Sequence, residues 1–303
     1  ADPMNRIDPA DAASLSEPGG GLDPAGQGVP TVMIAGTHSG VGKTSVTLGL
    51  LAALRQRGRV VQGFKVGPDF LDPAHHQLAS GRPSHNLDGW MMTETAVRGV
   101  VRRAIETPPR ADVALIEGVM GLFDGYEGAS PAGSSGEIAR WLGVPVVLVV
   151  DVWSMVRSAA ALIAGFVSFE PGVEVAGVIL NRVAGEAHRR WIEDAVAGQV
   201  PILGALPSEP SIRVAERHLG LTPPAPPQVA ALAEWVAGGV DLDQLLALAS
   251  PVGAPEESPT PANASSDLKG DRRGARRSVG RSRRRVRGRP TVAVAQDEAF
   301  WFF

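Results

Sequence analysis

Short apolar runs alternate with amphipathic stretches along most of this chain. Val32–Ala35, Val60–Phe64, Val113–Ile116, Val144–Val150, Val175–Leu180 and Ile202–Ala205 are apolar and rich in β-branched residues. Such runs are expected of strands covered on both faces, because neither face then has to be polar. Ser45–Arg57, Glu94–Ile105, Ser135–Leu142, Ser154–Ala164, Glu186–Val196 and Gln228–Trp235 carry helix-like patterns. This alternation predicts an α/β fold, an open parallel sheet with helices on both faces. Ligands of such sheets bind beyond the carboxyl ends of the strands, so the residues that close each run are where chemistry is expected.

The first strand ends in Ala35-Gly36-Thr37-His38-Ser39-Gly40-Val41-Gly42-Lys43-Thr44, and a helix-like stretch follows at Ser45. Strand, glycine loop and helix in that order make a phosphate-binding loop of the P-loop NTPase type. Backbone N–H groups of Gly40, Val41, Gly42 and Ser45 face phosphate, Lys43 adds a point charge, and the Thr44 hydroxyl reaches Mg2+. ATP and Mg2+ are the cofactors expected. The spacing departs from the usual motif: Thr37 stands where glycine is standard, with Gly36 one residue earlier.

Four other strand ends carry polar groups. Phe64-Lys65-Val66-Gly67-Pro68-Asp69-Phe70-Leu71-Asp72-Pro73 places one Lys and two Asp in a short segment. Lys65 can neutralise a transferred phosphoryl group and Asp69 can hold a metal directly or through water; a solvated turn is the competing account. Ala114-Leu115-Ile116-Glu117-Gly118 is an apolar strand closed by a carboxylate, the Walker B arrangement with Glu in place of Asp. Glu117 is expected beside Thr44 in the metal's oxygen shell, with Asp124 facing the same crevice. Asn181, after Leu180, suits either a purine edge or a turn, and Asp151 is equally ambiguous. The adjacent His75 and His76 read as structural, and the histidines show no metal-ligand spacing.

Composition narrows the class. The chain has 303 residues, 44% of them hydrophobic, enough for a sizeable core. It contains no cysteine, which removes disulfides, thiolate metal sites and a Cys nucleophile from consideration. No apolar stretch reaches the roughly 18 residues of a membrane span, and the first residues lack a basic-then-apolar signal pattern. A cytoplasmic location without membrane contact is expected. Net charge is −3, but 11 of the 29 basic residues and only 3 of the 32 acidic ones lie in 269–303, leaving 18 basic and 29 acidic elsewhere. The Arg-rich stretch has no aromatics for base stacking, so it reads as a solvated spacer and no nucleic-acid partner is expected.

These shifts divide the chain. Residues 1–29, rich in Gly, Pro, Ala and Asp, are set outside the fold, with Ala1-Asp2-Pro3 ahead of Met4 reading as a vector scar. Residues 30–249 form the alternating domain. Residues 250–289 read as a linker, Pro- and Ser-rich and then Arg-rich. Thr291–Ala295 reads as a fresh strand, so 290–303 is expected to open a second, truncated domain.

In combination these segments resemble the cobyrinic acid and hydrogenobyrinic acid a,c-diamide synthases of corrinoid biosynthesis. The match runs through Ala35–Thr44, Phe64–Pro73, Gly81–Met92, Glu117–Gly125, Ser134–Asp151, Gly177–Val183 and Gly204–Pro207. The resemblance implies a dethiobiotin-synthetase-like fold and ATP-dependent amidation of the a and c carboxylates of a corrinoid, a tetrapyrrole polycarboxylate. The substrate carboxylate would attack the γ-phosphate, and ammonia would displace phosphate from the acyl phosphate. In the family that ammonia comes from glutamine in a C-terminal glutaminase domain with a Cys nucleophile. Gly40, Gly42, Lys43 and Thr44 match the family's phosphate loop, Asp69, Asp72, Glu117 and Asp124 its acidic residues around the metal, the phosphorylated intermediate and the substrate, and Asn181 its adenine contact; with the residue reading, Lys43, Lys65, Asp69, Asp72, Glu117 and Asp124 are expected to be catalytic and Thr44, Asp69 and Glu117 to hold the metal. Phe70 stands where the family often has an aromatic hydroxyl. His38 stands where partition-type ATPases carry a signature Lys, which counts against a nucleotide-switch ATPase. A dethiobiotin-like ligase is the other alternative, disfavoured by the His85–Met92 run. A homodimer is a candidate assembly.

Overall fold

A computed structural model describes residues 28–212 and 226–252. The Arg-rich stretch, the strand expected at 291–295 and nearly all of the segment 1–29 lie outside the described residues. The strands are β1 (Val29–Gly36), β2 (Val61–Val66), β3 (His85–Leu87), β4 (Val113–Glu117), β5 (Val146–Asp151), β6 (Val175–Val183), β7 (Ile202–Pro207) and β8 (Ser250–Val252). The helices are α1 (Lys43–Gln56), α2 (Leu71–Ser80), α3 (Glu94–Glu106), α4 (Ser135–Leu142), α5 (Arg157–Ser168), α6 (Glu186–Val196), α7 (Pro226–Gly239) and α8 (Leu242–Leu248).

The sheet runs β3-β2-β4-β1-β5-β6-β7, with every neighbouring pair parallel. β1 lies centrally between β4 and β5, so the chain winds outward in opposite directions on its two sides. That reversal opens a crevice at the carboxyl end of β1, where doubly wound sheets bind ligands. β8 runs antiparallel to the first residues of β1, pairing Val29 with Val252 and Thr31 with Ser250. The sheet thus takes in Ser250–Val252, where the sequence reading starts a linker, and Val29, which it leaves outside the domain.

Alternate residues of each strand serve two separate cores. Met33 and Ala35 of β1, with Ile116, Leu148 and Leu180, face α3, α4, α5 and α6. Val32 and Ile34, with Leu115, Val147 and Ile179, face α1, α7 and α8. Period-2 projection into two apolar layers explains why the strands carry no polar alternation. Among the described residues, no helix is long and apolar enough to cross a membrane.

Besides β8 and the short α8, two elements escaped the hydrophobic pattern. α2 buries Asp72, His75, His76, Ala79 and Ser80, so its inward face is mostly polar and periodicity cannot reveal it. β3 is only three residues, His85-Asn86-Leu87, added in parallel at the edge of β2.

Candidate phosphoryl-transfer site

The glycine loop joins β1 to α1 at the centre of the carboxyl edge. Gly40 (φ 81°) and Gly42 (φ 98°) both take the left-handed conformation that glycine adopts without penalty. A side chain at 42 would also run into the Asn181 amide. Asn181 Nδ2 donates to Val41 O at 2.7 Å, while its Oδ1 accepts from Arg182 N at 2.9 Å. The sequence left Asn181 between a purine contact and a turn; the structure has it propping the loop from the end of β6. Gly42→Ala is therefore expected to strain the loop by about 1–2 kcal/mol and weaken nucleotide binding about tenfold. Titration of a nucleotide into the variant checks this, and unchanged affinity would remove the loop's shape from the argument.

Lys43 is buried, and its Nζ reaches back over the loop to donate to His38 O at 3.0 Å. Burial lowers its ammonium to about 8, against the opposing pull of Glu117. One residue on, Thr44 Oγ1 donates to Glu117 Oε1 at 2.7 Å. The hydroxyl and carboxylate expected together from the sequence are in direct contact.

Glu117 ends β4 with no exposure to solvent. Its register partners are Ile34 of β1 and Lys65 of β2, which aligns the three strand ends. Lys65 Nζ lies 3.1 Å from Glu117 Oε1 and 3.0 Å from Asp72 Oδ2, and also donates to Gly118 O at 2.8 Å. Burial alone would raise Glu117, but the Lys65 charge and the bonds from His76 and Thr44 hold it well below the usual carboxylate range. Burial alone would likewise lower Lys65, yet Glu117 and Asp72 outweigh it and raise its ammonium. Both groups stay charged in a dry setting, where charge on an incoming phosphoryl group is felt strongly.

Asp69 and Asp124 shape loops. Asp69 Oδ1 accepts from Leu71 N at 2.8 Å and Asp72 N at 3.4 Å, opening α2 so that Asp72 turns inward to Lys65. Asp124 Oδ2 accepts from Gly121 N at 2.9 Å and lies within electrostatic reach of Lys43. Leu122 N donates to Gly36 O, tying this segment to the glycine loop. Asp151 pairs with Arg182. Met120, Ser154 and Arg182, all with positive φ, cluster at carboxyl ends of strands, as residues of functional edges often do.

The structure adds two features the sequence reading did not assign to the site. His76, read as structural, lies with its Nε2 2.6 Å from Glu117 Oε2. Trp90 and Tyr126 stand edge to face with centroids 4.4 Å apart, both more than half exposed. The first is hidden because α2 turns a mostly polar face inward, and the second needs two loops to be brought together.

Among the described residues no three His, Asp or Glu side chains gather to hold a metal ion. Mg2+ takes one or two protein oxygens and fills the rest of its shell with phosphate and water. The adjoining oxygens of Thr44 and Glu117 fit this role.

Residues 32–221 match the family described as the CobQ/CobB/MinD/ParA nucleotide binding domain. The chain belongs to this family. Its curated relatives include proteins named cobyrinate a,c-diamide synthase from Syntrophotalea carbinolica (44% identical, over 90% of this chain and 56% of that protein) and from Methanosarcina acetivorans (38%, over 91% and 55%). A protein named hydrogenobyrinate a,c-diamide synthase from Streptomyces coelicolor is 44% identical over 76% of this chain and 48% of its own length. The chain thus spans about half the length of the relatives it matches. Their names accord with the resemblance read from the motifs, and the fold is the open parallel sheet expected.

Proposed function

We propose that this chain is the ATP-using part of a corrinoid a,c-diamide synthase. The observation that carries the reading is the buried Lys65, bridging Glu117 and Asp72 beside the glycine loop and Thr44. A carboxylate needs no general base to attack phosphorus, so the protein's task is placement and charge neutralisation. In this reading Lys43 and the loop amides hold the β- and γ-phosphates. A substrate carboxylate oxygen attacks the γ-phosphorus and ADP leaves. Ammonia then adds to the acyl carbon, loses a proton and expels phosphate, leaving the amide. Lys65 faces the transferred group, Asp72 holds Lys65, and Asp124 keeps the segment after β4 in place. Mg2+ would rest on Thr44 and Glu117, neutralising phosphate charge; Asp69 is proposed to approach it through water.

The relatives' names supply the corrinoid. Exposed Phe70, Trp90, Met91, Met120 and Tyr126 offer apolar surface suited to a flat macrocycle. In the whole protein the ammonia is proposed to come from glutamine, through a further domain.

The test is turnover with ATP, Mg2+ and ammonium on cobyrinate, hydrogenobyrinate, other tetrapyrrole acids and the diamino acid substrate of a dethiobiotin-like ligase, read by product mass. Two successive carboxylate-to-amide mass changes on a corrinoid are expected. Conversion of the diamino acid alone would favour the other ligase. With nitrogen-15 ammonium or amide-labelled glutamine in ammonia-free buffer, label is expected to arrive only from ammonium, since the chain has no thiol nucleophile. Label from glutamine at a comparable rate would overturn that expectation.

A further inference from the structure

The reaction outlined above makes no use of His76, although α2 buries it completely against Glu117. Its Nε2 lies 2.6 Å from Glu117 Oε2, and its Nδ1 lies 3.1 Å from Ser84 Oγ. Ser84 Oγ in turn donates to Gly63 O at 3.0 Å. Ser84 thus links the ring to the backbone of β2. Held at both nitrogens, the ring is fixed in one orientation between Glu117 and Ser84. The backbone makes room for it. A Cβ at residue 63 would stand 3.2 Å from His76 Cβ and 3.4 Å from Nδ1, so glycine lets β2 come close to the ring.

The two oxygens of Glu117 have different partners. Oε1 receives Thr44 and Lys65, and Oε2 receives His76. A carboxylate can rotate about its last carbon–carbon bond, and a bond on one oxygen decides where the other points. We propose that His76 is a positioning residue for the nucleotide's divalent cation. Anchored through Ser84 to the backbone of β2, it holds Oε2 so that Oε1 stays against Thr44 at the mouth of the loop. The proposal rests on the reading of Thr44 and Glu117 as cation ligands. Outer partners of ligating groups change metal affinity by about 10–100-fold when removed.

The experiment compares wild type with His76→Asn, His76→Gln and Ser84→Ala. For each, nucleotide affinity is measured in excess chelator, and then the affinity of the nucleotide complex for Mg2+, or for Mn2+ followed by its paramagnetic resonance. The Gln amide nitrogen reaches about as far as Nε2, whereas that of Asn stops near Nδ1. His76→Asn is expected to lose about tenfold or more in cation affinity, with chelator-phase nucleotide affinity and circular dichroism unchanged. His76→Gln is expected to recover most of the loss, and Ser84→Ala to show a smaller loss in the same direction. Wild-type cation affinity in His76→Asn, or no recovery in His76→Gln, overturns the proposal. Should His76→Asn fail to fold, unchanged cation affinity in Ser84→Ala overturns it. If Glu117→Gln also leaves cation affinity unchanged, the ligand reading itself is lost, and the proposal with it.

Discussion

Lys43→Ala is expected to weaken ATP binding by about 10–100-fold while leaving the fold intact. Hydrogen bonds to charged groups contribute about 1.5–3 kcal/mol, which sets that range. The loop's shape comes from Gly40, Gly42 and the Asn181 prop rather than from the lysine, whose Nζ bonds to the loop's own His38 carbonyl. Calorimetric titration with ATP, beside circular dichroism, decides the matter; native dichroism with undiminished affinity would sink the phosphate-loop assignment. The same lysine gives a pH signature. Its ammonium, lowered to about 8 by burial, is the form that attracts phosphate. Below that pH the charge is present in the free protein. As pH rises through about 8 it is lost, so ATP affinity is expected to fall between pH 7 and pH 9. Lys43→Ala should flatten that dependence.

Glu117→Gln is expected to act on both chemistry and stability. The amide keeps an oxygen for Thr44 but removes the charge that Lys65 and His76 face. Breaking one side of a buried pair typically costs about 3–5 kcal/mol, because the remaining charge stays buried without compensation. Asp72 still holds Lys65, which favours the lower end of that range. Turnover at limiting Mg2+ should fall far more than nucleotide binding in chelator. Thermal melting and a Mg2+ titration of turnover separate the two effects. Wild-type turnover at limiting Mg2+ would take Glu117 out of the cation's surroundings.

Apolar strands packed on two faces announce themselves, and so β1, β2, β4, β5, β6 and β7 stand within a residue or two of where the sequence puts them, save for an earlier start on β1 and longer ends on β6 and β7. The glycine loop was legible because its conformation restricts residue choice at Gly40 and Gly42. Thr44 and Glu117 could be paired from sequence because each closes or follows an apolar strand, and neighbouring strand ends converge. What stayed hidden lies mostly on α2 and at Asn181. A helix that turns Asp72 and His76 inward has no apolar stripe to betray it, and its Asp-Pro opening looks like a turn. Asn181 acts through a bond to Val41, 140 residues away in sequence, a contact that only the β5–β6 pairing creates.

The antiparallel pairing of β8 with the start of β1 bears on how the polypeptide can be divided for study. Val252 sits beside Val29, at the amino end of an eight-residue strand whose other end feeds the glycine loop. At about 3.3 Å per residue, Val252 therefore lies some 25 Å from the glycine loop. A cut or fusion made after Val252 falls at the rim opposite the glycine loop. A cut made after Ala249 strips the pairing from Val29, Pro30 and Thr31 and leaves a bare backbone ledge for other molecules to pair with. A piece meant to keep the pairing of β1 therefore extends at least to Val252.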